Sequence, residues 1–215
     1  MTAKRKLTGL LPVVPTPLNA DESLDEAGME KLSAYIVDCG FDGVWALASA
    51  GEDQNLPRPL IEAATQRLVT YLGGRMPVLV KSSAPGVRDT LEWTRRLAGH
   101  GIDAAIIHCE HRKLTADHIR HYYLAIAEAS PVPIYIYQNA SRGAEAHVNM
   151  LLELARHPNI HGIKMAGSDL GDRSSYPTRL TPAGETLYDQ SLEILQALQS
   201  TRAMLRGHRS SAHDM

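Results

Sequence analysis

The strongest constraint on the fold is a regular alternation of short apolar runs with longer stretches of helical periodicity. The runs recur about every 30 residues, which is the size of a strand–helix–strand unit. The predicted strands cover residues 10–17, 43–48, 77–81, 104–108, 133–137 and 160–164. Strands that alternate with helices form parallel sheets, because a parallel neighbour needs a crossover connection. The pattern therefore predicts an α/β fold built on a parallel sheet.

Two parallel architectures compete, a doubly wound open sheet and a (β/α)8 TIM-type barrel. A doubly wound nucleotide-binding sheet usually carries a glycine-rich turn after its first strand. The corresponding segment here, residues 16–19, reads Thr-Pro-Leu-Asn and contains no glycine. The barrel is therefore favoured, and its chemistry is expected at the carboxyl ends of the strands. Among the predicted helices, one is bounded by Asp25 and Gly40 and another runs from Ile119 to Ala129.

The chain is short for a complete barrel. Six units end near Lys164 and about 50 residues follow, whereas two more units would need about 60. Residues 171–177 are predicted to form a loop, and a helix is predicted over about 181–204, before a disordered end. We predict an incomplete barrel of about six units over residues 1–170 and a divergent tail over residues 171–215.

Composition restricts the class of protein. Hydrophobic residues make up 44% of the chain and charged residues 21%, which predicts an ordered domain with a sizeable core. The formal net charge is −2, so no basic field favours nucleic acid or a membrane surface as a partner. No apolar run approaches the ~20 residues of a membrane span. The two cysteines have neither metal-finger nor redox-pair spacing, and a cytoplasmic protein is expected.

Polar side chains at the predicted strand ends are the candidates for chemistry. After the second strand, Ser49, Ala50 and Gly51 form a small-residue turn whose hydroxyl and backbone N–H groups can hold a carboxylate or phosphate. An ordinary turn with a capping serine explains the same residues. Tyr137 ends the fifth strand, either as core filler or as a proton-transfer group. Arg142 follows it as a candidate anion clamp.

Lys164 ends the sixth strand, in a segment where Gly162 and Ala166 share its face. Small neighbours leave room for a ligand over the amine, although a strand-end lysine that reaches solvent fits equally well. A lysine nucleophile must lose a proton, and the ordinary pKa of lysine is about 10.4. A desolvated barrel mouth or a nearby cation would lower that value and make imine formation feasible.

The motifs together resemble the dihydrodipicolinate synthase / N-acetylneuraminate lyase family. The resemblance is carried by Gly9 with Pro-Thr-Pro at 15–17, by Ser-Ala-Gly-Glu at 49–52, by residues 137–142 and by Gly-Ile-Lys at 162–164. Their order and spacing match across about residues 8–170. Members of that family are (β/α)8-barrel class I aldolases, so the resemblance implies a Schiff-base lyase or aldolase.

The resemblance also implies roles for the candidate residues. Lys164 matches the lysine that forms the imine, and Tyr137 matches the tyrosine that relays protons. Ser49, with Ala50 and Gly51, matches the turn that binds the carboxylate of pyruvate, and Arg142 matches an arginine that binds a second substrate. The expected partners are a small-molecule 2-oxo acid and an aldehyde, with no cofactor other than the covalent imine on Lys164. A homo-oligomer is expected.

The sequence departs from the family pattern at three places. Ala50 stands where the family usually has a second hydroxyl residue, which removes one carboxylate contact. Residues 108–111, His-Cys-Glu-His, replace a Pro-Tyr-Tyr-like stretch, so the tyrosine that completes the synthase's proton relay is missing. This departure argues against dihydrodipicolinate synthase itself. Lys81 stands where the family has a small residue, and it could depress the pKa of Lys164, compete as nucleophile or face solvent.

Two other functions remain open from the sequence. The chain could be a catalytically silent, truncated relative whose open sheet edges make it an oligomerising or binding protein. It could also be a divalent-metal enzyme that uses His108, Glu110, His111 and His161, although neighbouring residues of a strand face opposite sides. Residues 172–174 and 179–185 show a further, faint resemblance to the wing and linker helix of LysR-type regulators, without the helix-turn-helix that reads DNA.

Overall fold

The computed structural model describes residues 7, 9–109, 114–139, 144–166, 171–172, 179–180, 182, 185 and 189. Its centre is a parallel sheet of six strands: β1 (Val13–Val14), β2 (Val44–Ala46), β3 (Val78–Lys81), β4 (Ala104–His108), β5 (Ile134–Asn139) and β6 (Ile160–Ala166). The spatial order of the strands is their order in the chain. A doubly wound sheet reverses its order at a switch point, whereas barrel strands follow one another without reversal. The predicted (β/α)-barrel topology is confirmed, with six of its strands in the described part of the chain.

Five helices connect the strands: α1 (Glu26–Asp38), α2 (Arg58–Leu72), α3 (Val87–Gly99), α4 (Ala116–Ala129) and α5 (Ala144–Ala155). Local sequence explains where several of them begin. The Asp25 carboxylate accepts a hydrogen bond from the N–H of Gly28 at 2.9 Å, as an N-cap does. Pro59 lies in the first turn of α2, where a missing N–H costs no helical hydrogen bond.

Side chains alternate between the two faces of the sheet and form two apolar layers. One face packs against the helices, and its fully buried residues include Ile134 and Ile136 of β5 and Leu151 of α5. The opposite face lines the interior of the barrel with Trp45, Ala48, Leu79, Ala104 and Ile106, against which Tyr135 and Tyr137 pack. Because the strands are parallel, their carboxyl ends lie at one edge of this interior.

The helix predicted between Asp25 and Gly40 is confirmed, because it covers Glu26–Asp38 and Gly40, with a φ of +70°, follows its C-cap. Other predicted boundaries differ from the structure, and β1 covers only Val13–Val14 of the run predicted over 10–17. α4 begins at Ala116 instead of Ile119, because Thr115 caps it by accepting from the N–H of His118 at 3.3 Å. The strand predicted over 43–48 covers only Val44–Ala46, since Leu47 has a φ of +53° and leaves the extended conformation.

The described part of the tail is small. Residues 171–177 were predicted as a loop, but β7 (Gly171–Asp172) pairs antiparallel with β8 (Arg179–Leu180). Pro182, Glu185 and Asp189 are helical and exposed, while the rest of the helix predicted over 181–204 lies outside the described residues. The division into a barrel over 1–170 and a tail over 171–215 stays a prediction. None of the described helices is both long and apolar enough to cross a membrane.

Candidate active site

The register of the last two strands brings two predicted site residues together. Tyr137 of β5 and Lys164 of β6 are direct partners in the parallel ladder. Tyr137 packs with the interior layer, and the Nζ atom of Lys164 lies 4.1 Å from the centroid of its ring. The amine and the phenol ring are therefore neighbours on the inner face, near the carboxyl ends of the strands.

Trp45 of β2 forms a second aromatic wall beside the amine. Lys164 Nζ lies 4.4 Å from the centroid of the indole ring. The rings of Trp45 and Tyr137 meet edge to face, at 87° and with 5.5 Å between centroids. Aromatic faces attract cations, by about 0.5–1 kcal/mol at exposed sites and about 2 kcal/mol when desolvated. These two rings stabilise positive charge on the Lys164 nitrogen.

The surroundings of Lys164 differ from the sequence prediction in two respects. The residue as a whole is exposed, so the expected dry barrel mouth covers it on the aromatic side only. Among the described strands β6 pairs with β5 alone, which leaves its other edge uncovered. The room predicted over Gly162 is also occupied, because a Cβ atom there would lie 2.7 Å from the ring of Tyr135.

Tyr137 is held by its neighbours on β4 and α4. The hydroxyl of buried Tyr123 accepts from the N–H of Cys109 at 3.0 Å and donates to the carbonyl of Tyr137 at 3.2 Å. Burial raises the pKa of the Tyr123 phenol well above its usual value, which keeps it protonated and able to do both. The ring of His108 lies against the Tyr137 ring, with centroids 4.6 Å apart. These contacts fix the Tyr137 backbone and one face of its ring.

The predicted carboxylate-binding turn follows β2 as a short 3₁₀ segment, Ser49–Gly51. Ser49 and Ala50 are exposed, and Gly51 is buried. A Cβ atom on Gly51 would lie 2.9 Å from the carbonyl oxygen of Val14, so only glycine fits against β1. The chain leaves the direction of β2 at Leu47, whose positive φ is uncommon for a bulky residue and carries strain. Ser49 is thus an exposed residue beyond the carboxyl end of β2.

Lys81 is buried at the end of β3 and forms an ion pair. Its Nζ atom lies 2.6 Å from Oδ2 of Asp53, and the two side chains are 5% and 12% exposed. Of the three alternatives left open for Lys81, exposure to solvent is therefore excluded. The sequence offered no signal for the partner, because Asp53 lies in a turn whose path depends on the backbone at Leu47.

Several candidate residues lie outside the described part of the chain. Arg142, proposed as a second anion clamp, is one of them, as are Glu110 and His111 of the metal hypothesis. The other two residues of that hypothesis, His108 and His161, are on strands β4 and β6, with β5 between them. No group of three or more potential metal ligands occurs among the described residues.

Two cavities of the described residues lie away from the strand ends. A surface groove of about 290 Å³ between α2 and α3 is lined by Arg58, Glu62, Trp93 and Arg96 among others. A small cavity of about 20 Å³ is lined by Pro77, Asp103 and Pro133, which precede β3, β4 and β5. Neither contains Lys164, so the candidate site rests on the juxtaposition of its side chains.

Trp45 is the residue at the site that sequence analysis missed. It was recognised only as part of a strand, and its position beside Lys164 follows from the inward alternation of β2 and β6. Its Nε1 atom is buried without a hydrogen-bond partner among the described residues. A buried unsatisfied donor costs about 1–3 kcal/mol, so this indole does not owe its place to hydrogen bonding.

Comparisons with known proteins agree with the geometry. A family model described as the Dihydrodipicolinate synthetase family matches residues 6–187. The chain is 34% identical, over 168 residues, to the 4-hydroxy-tetrahydrodipicolinate synthase of Stenotrophomonas maltophilia, covering 77% of this chain and 56% of that protein. It is 33% identical, over 179 residues, to an Emericella nidulans protein named "Probable 4-hydroxy-2-oxoglutarate aldolase, mitochondrial", covering 75% of this chain and 57% of that protein.

A solved structure of a similar protein has the same fold. The pyruvate complex of dihydrodipicolinate synthase from Acinetobacter baumannii superimposes with a TM-score of 0.73 at 26% identity, covering 84% of this chain and 59% of that chain. The chain thus spans about half the length of the curated relatives it matches.

Proposed function

The chain belongs to the dihydrodipicolinate synthetase family, as the resemblance predicted, and we propose that it is a Schiff-base lyase or aldolase acting on pyruvate or another 2-oxo acid. The observation that carries this proposal is the position of Lys164 Nζ, 4.1 Å from the Tyr137 ring and on the inner face of the sheet. An amine beside a phenol at the strand ends is the pair of groups that imine chemistry needs.

In the proposed reaction, the unprotonated Lys164 amine attacks the ketone carbon of the 2-oxo acid, and water leaves as the protonated imine forms. That cation withdraws electrons, so the neighbouring carbon loses a proton to give an enamine. The enamine carbon then attacks the carbonyl of an aldehyde, and water releases the product from Lys164. The reverse sequence breaks the same carbon–carbon bond.

Tyr137 is the proposed proton carrier to and from the carbinolamine oxygen, the enamine carbon and the aldehyde oxygen. Its ring lies beside the reacting nitrogen, and contacts from Tyr123 and His108 hold it there. Trp45 and Tyr137 together favour the cationic imine over the neutral carbinolamine and enamine, because both ring centroids are within 4.4 Å of the nitrogen that bears the charge.

Substrate binding is proposed at two places. Ser49 and the turn through Ala50 and Gly51 bind the carboxylate of the 2-oxo acid, and the exposure of Ser49 supports this role. Arg142 binds a carboxylate of the second substrate, a role that rests on its match to the family motif. We propose no cofactor beyond the imine on Lys164, and a homo-oligomer as the assembled form.

The aldehyde is proposed to differ from that of the synthases. The missing tyrosine after β4, where the chain has His108 and Cys109, argues against the synthase reaction. A relative that matches almost equally well carries the name of an aldolase for 4-hydroxy-2-oxoglutarate. An aldolase that joins pyruvate to a small aldehyde, or splits the product, fits these two facts.

Exchange of the pyruvate methyl protons with D₂O tests the proposal, because it requires the imine and the enamine but no aldehyde. The wild-type chain should catalyse exchange visible by proton NMR, and Lys164→Arg should not. A panel of aldehydes added afterwards identifies the acceptor. A folded wild-type chain without exchange on any 2-oxo acid would instead support the catalytically silent relative.

A further inference from the structure

A buried ion pair connects β3 to the turn after β2. Lys81 is the last residue of β3, and Asp53 follows the 3₁₀ segment Ser49–Gly51 by two residues. Their Nζ and Oδ2 atoms lie 2.6 Å apart, and both side chains are largely buried. Lys81 has the same inward parity as Leu79, which belongs to the interior layer. The pair therefore lies at the interior end of β3, beside the turn proposed to bind the carboxylate.

The same turn is held from its other side by β1. The hydroxyl of Thr16, just beyond β1, donates to the carbonyl of Gly51 at 2.8 Å. Within the turn, the N–H of Gly51 donates to the carbonyl of Ala48 at 2.8 Å, and the N–H of Asp53 reaches the same carbonyl at 3.5 Å. The turn is thus fastened to both neighbouring strands, through a hydroxyl on one side and an ion pair on the other.

Stability alone does not account for the ion pair. A buried ion pair is weak evidence of stabilisation, because desolvation of the two charges offsets their attraction. The other carboxylate oxygen of Asp53, Oδ1, is buried and has no hydrogen-bond partner among the described residues. Such an oxygen opposes folding. What the pair supplies is a fixed distance between the end of β3 and a turn that begins with a strained residue, Leu47.

We propose that Lys81 and Asp53 are a positioning pair that holds the Ser49–Gly51 turn in the conformation that binds the carboxylate of the 2-oxo acid. This inference rests on the proposed function. Ala50 provides no side-chain hydroxyl, so the carboxylate depends on the Ser49 hydroxyl and on backbone N–H groups. Hydrogen bonds weaken steeply when their geometry is lost, so a small shift of the turn lowers affinity.

The pair acts on binding and not on the amine chemistry. Its two charges compensate each other, so it adds no net charge to the site. The alternative is that Lys81 attracts the substrate carboxylate directly, with Asp53 weakening that attraction. The two possibilities predict opposite effects of removing the Asp53 charge, which makes Asp53→Asn the discriminating variant.

The experiment measures borohydride-trapped pyruvate adduct against pyruvate concentration for the wild type, Asp53→Asn, Lys81→Met and the double variant. Positioning predicts that all three variants need at least about tenfold more pyruvate for half-maximal labelling, while maximal labelling stays within about twofold of the wild type. The double variant carries no unpaired buried charge, so it keeps the test valid if Lys81→Met does not fold. Faster amide hydrogen exchange over residues 47–53 in the double variant is also expected.

Glu26→Gln is the matched control, because it removes the exposed ion pair between Glu26 and Arg67. It should leave unchanged both the half-saturating pyruvate concentration and the amide hydrogen exchange over residues 47–53. The positioning role is overturned if the half-saturating pyruvate concentration falls in Asp53→Asn, or if it equals the wild-type value in a folded double variant. Either result leaves the proposed function intact. A wild-type chain that cannot be labelled at any pyruvate concentration overturns both.

Discussion

The Nζ atom of Lys164 lies 4.1 Å from the centroid of the Tyr137 ring, and the two residues are register partners on neighbouring parallel strands. Neighbouring strands are about 4.8 Å apart, so hydrogen bonding of the sheet sets this separation without help from a loop. Groups on regular elements are held more accurately than groups on loops. The sheet thus fixes the backbone positions from which the amine and the phenol ring extend.

Removing the Tyr137 hydroxyl should slow proton transfer while leaving the ring in place. Tyr137→Phe keeps the contacts of the ring with Lys164, Trp45 and His108. Exchange of pyruvate methyl protons should fall by about 10²–10⁴-fold, the usual contribution of a positioned acid–base group. The NMR exchange assay measures this rate. Tyr135→Phe, on the same strand and face, is the control, and equal rates in the two variants would contradict the relay.

The aromatic wall formed by Trp45 should favour the cationic imine over the neutral carbinolamine that precedes it. Trp45→Leu removes an attraction of about 0.5–2 kcal/mol, and Trp45→Phe retains part of it. The rate at which the trappable imine forms at saturating pyruvate should therefore decrease from wild type to the phenylalanine variant to the leucine variant. Trp93→Phe changes the other of the two tryptophans and should have no effect. A rate in Trp45→Leu equal to that of the wild type would contradict this role of the indole ring.

The Ser49 hydroxyl should determine affinity for the 2-oxo acid. A hydrogen bond to a charged group contributes about 1.5–3 kcal/mol, so Ser49→Ala should raise the half-saturating pyruvate concentration about tenfold or more. Ala50→Ser supplies a second hydroxyl on the same exposed turn and should lower that concentration. Titration of trapped adduct measures both. An unchanged half-saturating pyruvate concentration in Ser49→Ala would contradict the proposal that this turn binds the carboxylate.

Glu62 links α2 to α3 and should make stability depend on acid pH. Hydrogen bonds from Arg96 and then His100 lower the pKa of Glu62 from its ordinary 4.5 to about 2. Because the folded-state pKa is depressed, the contribution is present above about pH 4.5 and is lost as the pH falls towards 2. Wild type should exceed Glu62→Gln in urea midpoint at pH 5, and the difference should vanish near pH 2. A constant difference would contradict the assignment. Glu30→Gln, on the exposed face of α1, is the control.

The sequence predicted the parts of the fold that depend on the order of the strands along the chain. Periodicity and the requirement for crossover helices predicted parallel strands whose carboxyl ends, with Tyr137 and Lys164, lie at one edge. The fold class followed from this pattern and the family from the motifs at the strand ends, and both are confirmed.

The contacts that the sequence did not predict depend on the barrel interior and on one strained residue. Trp45 meets Lys164 across the interior, from strands that are not neighbours in the sheet. The Lys81–Asp53 pair requires the turn of direction at Leu47, and a positive φ at a leucine is not signalled by residue type. The space over Gly162 was misjudged because the ring of Tyr135 fills it.

The site of imine formation is the claim on which the account depends. Borohydride reduction of the chain in pyruvate, followed by peptide mapping by mass spectrometry, locates the covalent adduct. We expect modification at Lys164 alone, and none in Lys164→Ala. An adduct on Lys81, or labelling that persists in Lys164→Ala, would contradict the account.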